Sequence, residues 1–474
     1  MKAQQLAEID PLITPFLPRI RERAERLAAK LAEIDTHGGL HEFSSSYKRY
    51  GFSVERNCVV YREWVPNAAR CWLVGEFNSW DRGKHEMQNE GYGVFAITIQ
   101  NELHVCPIAH NSKVKISILL KGTGEQIERV PAWIKQSIQD LNTSVWMDGV
   151  FWNPPATQEY IFKHPKLIEG KDPNKMNWRI YEAHVGIASN DPVIATYKYF
   201  TANIIPRVSK LGYNAIQLMA IMEHPYYASF GYQVTSFFAP SSRFGTPEDL
   251  KELIDTAHLH GIAIFLDVVH SHASKNVADG ISFFDGTDHQ YFHSGERGIH
   301  SLWDSRVFNY GNIEVLRFLL SNLRYWIETF QFDGFRFDGV TSMLYLDHGT
   351  SSGFNSYEDY FNGNVDEDAI LYLQLANHMF ETIYAGSIVS IAEDVSGMPT
   401  LCRPVSECGI GFNYRLNMAV PDMWIKLIKE KCVFYLYNSG SRMGYEAYCP
   451  SLDKSAMERR HNIIRRIARS SVGR

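Results

Sequence analysis

The sequence predicts a TIM-type (β/α)8 barrel, incomplete because its last strands are absent, preceded by a β-sandwich. Three observations carry this reading. The chain has 474 residues, enough for a barrel and an accessory module. Short β runs between turn residues fill the first third, and a strand–loop–helix rhythm replaces them near residue 179. Several of the later apolar runs end in ionisable residues, which is where a barrel carries its chemistry.

Residues 1–50 read as helical, and the charged stretch Arg19 to Leu27 reads as a solvated helix face. In residues 51–150 the runs Val59–Tyr61, Cys71–Val74, Val94–Ile99 and Val114–Ile118 are candidate strands, punctuated by Gly75, Asn78, Gly91 and Gly93. They predict the sandwich. Residues 151–178, rich in Pro, Lys and Asn, form a connector.

From 179 to 430 the candidate parallel strands are Ile180–Val185, Ala215–Ile221, Ile262–Val269, Gly334–Phe337 and Ile388–Ala392, with Gly411–Leu416 a weaker sixth. Thr246-Pro247-Glu248-Asp249 is a helix start: an N-cap hydroxyl, a proline at the first position and an acid at the third. A second helix is predicted from Ile313 to Phe330, with Leu316, Leu320, Leu323 and Ile327 on one face.

The net charge of −6 gives no footprint for a nucleic-acid or anionic-membrane partner. No apolar run is long enough to span a bilayer, and the first residues lack a secretory h-region. Seven scattered cysteines with no CxxC pair read as reduced thiols in a cytoplasmic protein; a monomer is expected separately. Residues 431–474 stand apart as a basic tail, nine Lys/Arg against three Asp/Glu, with a short helix expected from Met457 to Ala468.

The third, fourth and fifth strands end in Asp267-Val268-Val269-His270-Ser271-His272, Arg336-Phe337-Asp338 and Glu393-Asp394. One acid at a strand end is usually structural. Three in consecutive strands, beside an Arg and a His, converge on one mouth. Retaining glycoside chemistry needs two carboxyls roughly 5 Å apart, one to attack the sugar carbon and one to protonate the leaving oxygen. Arg336 lies two residues before Asp338, so both point to one side of their strand. That guanidinium is expected to keep Asp338 ionised, while Glu393 holds a proton to serve as acid. His270 and His272 read as hydrogen-bond partners for sugar hydroxyls before metal ligands, and neither metal nor cofactor is expected.

The strings DVVHSH (267–272), GFRFDGV (334–340) and AEDVSG (392–397) resemble, in order, three motif regions of the α-amylase superfamily. The resemblance narrows to eukaryotic-type glycogen branching enzymes at Asn214–His224, Tyr226–Gln233 and Asp338–Tyr345, and covers residues 30 to 430. It implies that Asp338 is the nucleophile and Glu393 the general acid/base. It also implies that Arg336, Asp267 and His272 position the sugar and that Tyr232 stacks beneath it. The sandwich resembles the family's glucan-binding module at Trp64-Val65-Pro66 and at Gly75 to Trp80. Trp64, Val65, Pro66, Trp80 and Tyr92 are then candidate glucan contacts, with a core role as the alternative for each ring. The implied partner is an α-1,4-glucan such as glycogen, and the implied reaction transfers a glucan segment to a 6-hydroxyl.

The family's fourth region, a His-Asp pair after strand seven, is not found, and the resemblance stops near Lys426–Glu430. The sequence therefore reads as a truncated or alternatively ended relative, unstable or inactive as it stands. The competing readings are a hydrolase of the same superfamily, such as a debranching enzyme, and an inactive glucan-binding protein.

Overall fold

The computed structural model describes residues 2–101, 105–142, 144–351, 353–417, 420 and 423–426. The chain divides into Met1–Leu416 and Asn417–Arg474, and the architecture below is that of the first unit. The expected fourth region, the absent strands and the basic tail helix concern residues 427–474, outside the described residues.

The helix Leu17–Asp35 buries Leu17, Ile20, Leu27 and Ile34 along one stripe. In its charged stretch Arg21, Glu22 and Glu25 are exposed, as the sequence suggested, and Arg23 is the exception. Arg23 is buried: its Nε and Nη2 donate to the Glu367 carboxylate at 2.9 and 3.0 Å, and Nη2 also reaches the Tyr360 carbonyl. Arg26 pairs with Asp368 at 2.6 Å. These arginines dock the helix onto the start of Glu367–Ile383, where acidic side chains suit the N-terminal dipole.

The sandwich follows. One sheet orders Gly51–Val54, Cys58–Trp64, Val94–Gln100 and Gln88–Gly91, all antiparallel. The other runs through Ala68–Gly75, Lys113–Leu120, Met147–Val150 and Ser137–Gln139, with Gln126–Arg129 beside Lys113–Leu120. Alternation assigns the faces: Val59, Tyr61, Ile116 and Ile118 turn into the core.

Six parallel strands then form one sheet, in the order Ile180–Ala183, Ala215–Leu218, Ala263–Val268, Gly334–Phe337, Val389–Ala392 and Tyr414–Arg415. Sequence order equals spatial order, the rule for a singly wound barrel. Helices Pro247–Leu259, Ile313–Phe330 and Glu367–Ile383 lie between successive strands in the sequence. The predicted start at Thr246 is present as a reciprocal capping box with Asp249.

Some strands are shorter than their apolar runs. The second stops at Leu218, because Met222–Glu223 leaves to pair with Ser236–Pro240, a strand that the periodicity did not single out. The first stops at Ala183, where a helical turn begins.

Register explains the two cores. Ala263, Phe265 and Asp267 share one face of the third strand; Gly334 and Arg336 share the matching face of the fourth. A small cluster of Ala215, Ala263, Phe265, Val389 and Ile391 fills that inner face, and Ile168, Leu167 and Trp178 of the connector pack against it. The opposite faces, with Ile264, Leu266, Phe335 and Phe337, join the large core that includes the helices.

Candidate active site

The site sits where the third, fourth and fifth strands end. Asp267 lies opposite Arg336 in register, and Phe337 lies opposite Ala392. The next residues, Asp338 and Glu393, therefore reach the same layer on the inner face. Backbone bonds extend the ladder one step: Asp338 N donates to Val268 O at 3.0 Å, and Glu393 N to Phe337 O at 3.1 Å.

Arg336 ties the group together. Nη1 donates to Asp267 Oδ1 and, at 3.0 Å, to Asp338 Oδ1; Nη2 reaches Glu393 Oε2 at 2.9 Å. One guanidinium thus serves three carboxylates. Gly339 N–H donates to Glu393 Oε2 at 2.9 Å. Gly339 has φ +61°, and a Cβ there would sit 2.9 Å from the Trp303 ring, so both the backbone and the space select glycine.

Burial and the negative charge of Asp267, reinforced by Glu393, push the Asp338 carboxyl above its usual range, while Arg336 pulls it down. The cause is stoichiometric: three acids share one cation in a partly desolvated mouth. Asp338 and Glu393 bond to the two terminal nitrogens of the same guanidinium, which sets the two carboxyls side by side. Asp267, fully buried, is pushed up to about 6 by burial, against the pull of Arg336.

Tyr232 O–H donates to Asp267 Oδ2 at 2.7 Å. The preceding Gly231 has φ +98°, and a Cβ would fall 1.8 Å from the Ala220 carbonyl oxygen, so the loop carrying Tyr232 tolerates only glycine there. His272 Nε2–H donates to the Tyr232 carbonyl at 2.7 Å, which leaves Nδ1 to accept from Ser271 O–H. Burial holds the ring neutral, with a pKa of about 4.

His270 does not face the mouth as a sugar ligand. Its Nε2–H donates to Asn322 Oδ1 at 2.9 Å, its Nδ1 accepts from Tyr372 O–H, and it is 1% exposed. Both nitrogens are used internally, so a sugar hydroxyl finds no free partner there. Asp394 is likewise structural: buried, it accepts from Thr341 O–H, Ser396 O–H and Gly397 N–H and fixes the loop after the fifth strand.

Sequence reasoning missed the ring stack beside His272. Trp303 stacks on His300 (4.1 Å, 3°), His300 stacks on His348, and Trp303 leans on His272 at 5.0 Å. The available signal was two large rings, His300 and Trp303, three residues apart in the loop after the third strand. Among the described residues no group of three or more His, Cys, Asp or Glu is arranged to hold a metal ion.

On the sandwich the candidates separate. Trp64 and Val65 are buried: the Trp64 ring meets Tyr291 edge-on at 5.4 Å and its carbonyl accepts from Gln290 Nε2. Both belong to the core, and at 7% exposure little of the Trp64 indole is open. Pro66 is half-buried against Gly93. Trp80 and Tyr92 are exposed, Tyr92 completely.

Two family models match the chain: carbohydrate-binding module 48 (isoamylase N-terminal domain) over residues 49–134, and alpha amylase, catalytic domain, over residues 203–297. A 1,4-alpha-glucan-branching enzyme of Yarrowia lipolytica is 52% identical over 473 residues, spanning 95% of this chain and 67% of that protein. The chain belongs to the 1,4-α-glucan-branching enzyme family. The branching enzyme of Aspergillus oryzae is 56% identical over 427 residues, 90% of this chain, and the chain covers 61% of that protein's length. The chloroplastic/amyloplastic branching enzyme of Oryza sativa is 50% identical over 430 residues, 90% of this chain and 52% of that protein.

Solved structures agree on the fold. A putative alpha amylase from Salmonella typhimurium aligns at TM-score 0.57 and 19% identity, over 84% of this chain and 56% of the other. A pullulanase from Bacillus acidopullulyticus aligns at TM-score 0.52 and 19% identity, over 73% and 41%. The branching-enzyme fold thus has its sandwich and its parallel sheet in place among the described residues, and none of those residues forms a helix long and apolar enough to cross a membrane.

Proposed function

We propose that this chain carries the cleavage and transfer chemistry of glucan branching, with Asp338 and Glu393 as the reacting pair. The observation that carries the reading is the single guanidinium of Arg336 held by Asp267, Asp338 and Glu393 at the ends of three consecutive strands.

In the first step an Asp338 oxygen attacks the anomeric carbon of an α-1,4-linked glucose. The bond to the departing 4-oxygen breaks, and that oxygen takes the proton of Glu393. In the second step a 6-hydroxyl of an acceptor chain gives its proton to Glu393 and attacks the same carbon, and the Asp338 ester bond breaks. Two inversions retain the α configuration. Surplus negative charge at the mouth stabilises the positive charge that develops on the sugar ring. Asp267 and Tyr232 form the wall that holds the ring, His272 fixes Tyr232 through its carbonyl, and Arg336 keeps the two carboxyls facing one another. The exposed Trp80 and Tyr92 are the sandwich's glucan-contact candidates. The buried free thiols Cys58 and Cys71 suit a reducing cytoplasm.

The test is amylose treated with the purified chain. Branching lowers the iodine absorbance without releasing reducing ends, and Asp338→Asn abolishes the change. Release of reducing ends would replace this reading with hydrolysis. Glycogen binding with no turnover would replace it with a binding protein.

A further inference from the structure

Trp303 stands beside the carboxylate mouth without belonging to a core. Among the described residues it joins neither apolar cluster, and it is half-buried where Trp133 and Trp326 are sealed. Its backbone is held on both sides. Trp303 N–H donates to His300 Nδ1 at 3.2 Å, and Trp303 O accepts from Gln233 Nε2 at 2.8 Å. Gln233 follows Tyr232, so the loop bearing Tyr232 and the loop bearing Trp303 are tied side by side. His300 is fixed in turn. With Nδ1 accepting, its Nε2–H donates to Ser342 Oγ at 3.0 Å, and its ring lies flat against one face of the indole.

Position decides what the indole can meet. Its ring edge abuts Gly339, where an added Cβ would fall 2.9 Å from it, and the Gly339 N–H is the donor to Glu393 Oε2. The indole therefore sits on the Glu393 side of the mouth, next to the carboxyl that protonates the leaving oxygen. The surface around it is apolar and open. Leu302, the preceding residue, is 71% exposed. Val395, two residues past Glu393, is 61% exposed, and its N–H is tied to Thr341 Oγ1 in the helix Val340–Leu344. A pyranose lays its CH faces on such a surface and keeps its hydroxyls in water. A ring needed only for packing would be sealed in a core, whereas this one rests on histidine rings and stays partly open.

We propose that Trp303 is the platform for the sugar on the Glu393 side of the cleaved bond. It carries first the unit of the departing chain whose 4-oxygen Glu393 protonates, then the unit of the acceptor chain whose 6-hydroxyl attacks. A stacked acceptor keeps that hydroxyl at the ester, and water has no such anchor, so the residue favours transfer over hydrolysis. This assignment rests on the reaction proposed above.

The test gives the full chain α-maltotriosyl fluoride as donor and maltoheptaose as acceptor. Asp338 displaces fluoride, and the ester then passes to water or to the acceptor; chromatography counts both products. Trp303→Ala should lower the ratio of transfer to hydrolysis about tenfold, the scale of one lost ring stack, and Trp303→Phe should recover most of it. A ratio that Trp303→Ala leaves unmoved overturns the proposal, whatever happens to the total rate. A second readout needs neither turnover nor a variant. N-bromosuccinimide oxidises open indoles, and on the unaltered protein maltoheptaose should slow the oxidation of Trp303 several-fold, read by peptide mass spectrometry, where cellopentaose should not. Absence of that protection also overturns the proposal. Protection without any fluoride release would support the Trp303 platform and remove the branching reaction instead.

Discussion

Two aspartates bracket the strand Gly334–Phe337, one immediately before it and one immediately after, and their surroundings are opposites. Asp333 is sealed at the lower end. It accepts from His258 Nε2 at 2.8 Å and from Ile264 N at 2.9 Å. Asp338, at the upper end, keeps 13% of its side chain open and divides one arginine with two other acids. Burial is common to both, so burial does not make a site. An excess of like charge over the available cation does, and that excess lies where a sugar could place developing positive charge. The lower acid holds two neighbouring elements together, and the upper one is held in readiness.

The comparison can be broken in four ways. The largest effect is expected for Asp338→Asn: transfer activity should fall at least about a thousandfold, as for loss of an attacking group. The melting temperature should hold or rise, because one repelling carboxylate is gone. A large loss of stability would make Asp338 structural like Asp333. Next, Asp333→Ala should cost about 3 kcal/mol in urea unfolding, the scale for stripping a buried polar group of its partner, while activity at low temperature survives.

Glu63 offers a third environment. It is buried with Tyr61 O–H, Ala132 N–H and Trp64 N–H as donors and, among the described residues, no cation partner, and burial pushes it up to about 8. A raised carboxyl stabilises the fold most below its unfolded pKa. Stability should therefore decline as pH rises from about 4 through about 8, a slope that Glu63→Gln removes from thermal melts. The smallest effect is expected at Asp267, raised to about 6. By the same sign its contribution is lost as pH rises through about 6, and Asp267→Asn should flatten that narrower window.

Much of this was legible in the sequence because it depends on short-range pattern. The strand Gly334–Phe337 and the helix Ile313–Phe330 have the boundaries their periodicity predicted. The convergence of Asp267, Arg336, Asp338 and Glu393 followed from strand ends alone. What was not legible depends on partners far away in sequence. Arg23 looked solvated because Glu367 could not be seen beside it. Trp64 left platform and core both open because Tyr291 could not be seen against it. His270 lost its place at the mouth to Asn322 and Tyr372. The upward push on the Asp338 carboxyl needed a count of charges in space, where the sequence offered only its nearest arginine.

The clasp between Arg23 and Glu367 spans 344 positions. A ribosome adding 5–20 residues per second needs roughly 17–70 s to cover that distance. For that interval the emerging amphipathic helix waits with Leu17, Ile20 and Leu27 unshielded. Slower synthesis lengthens that exposure and faster synthesis shortens it, so the pace of translation sets how long the first segment can stick elsewhere.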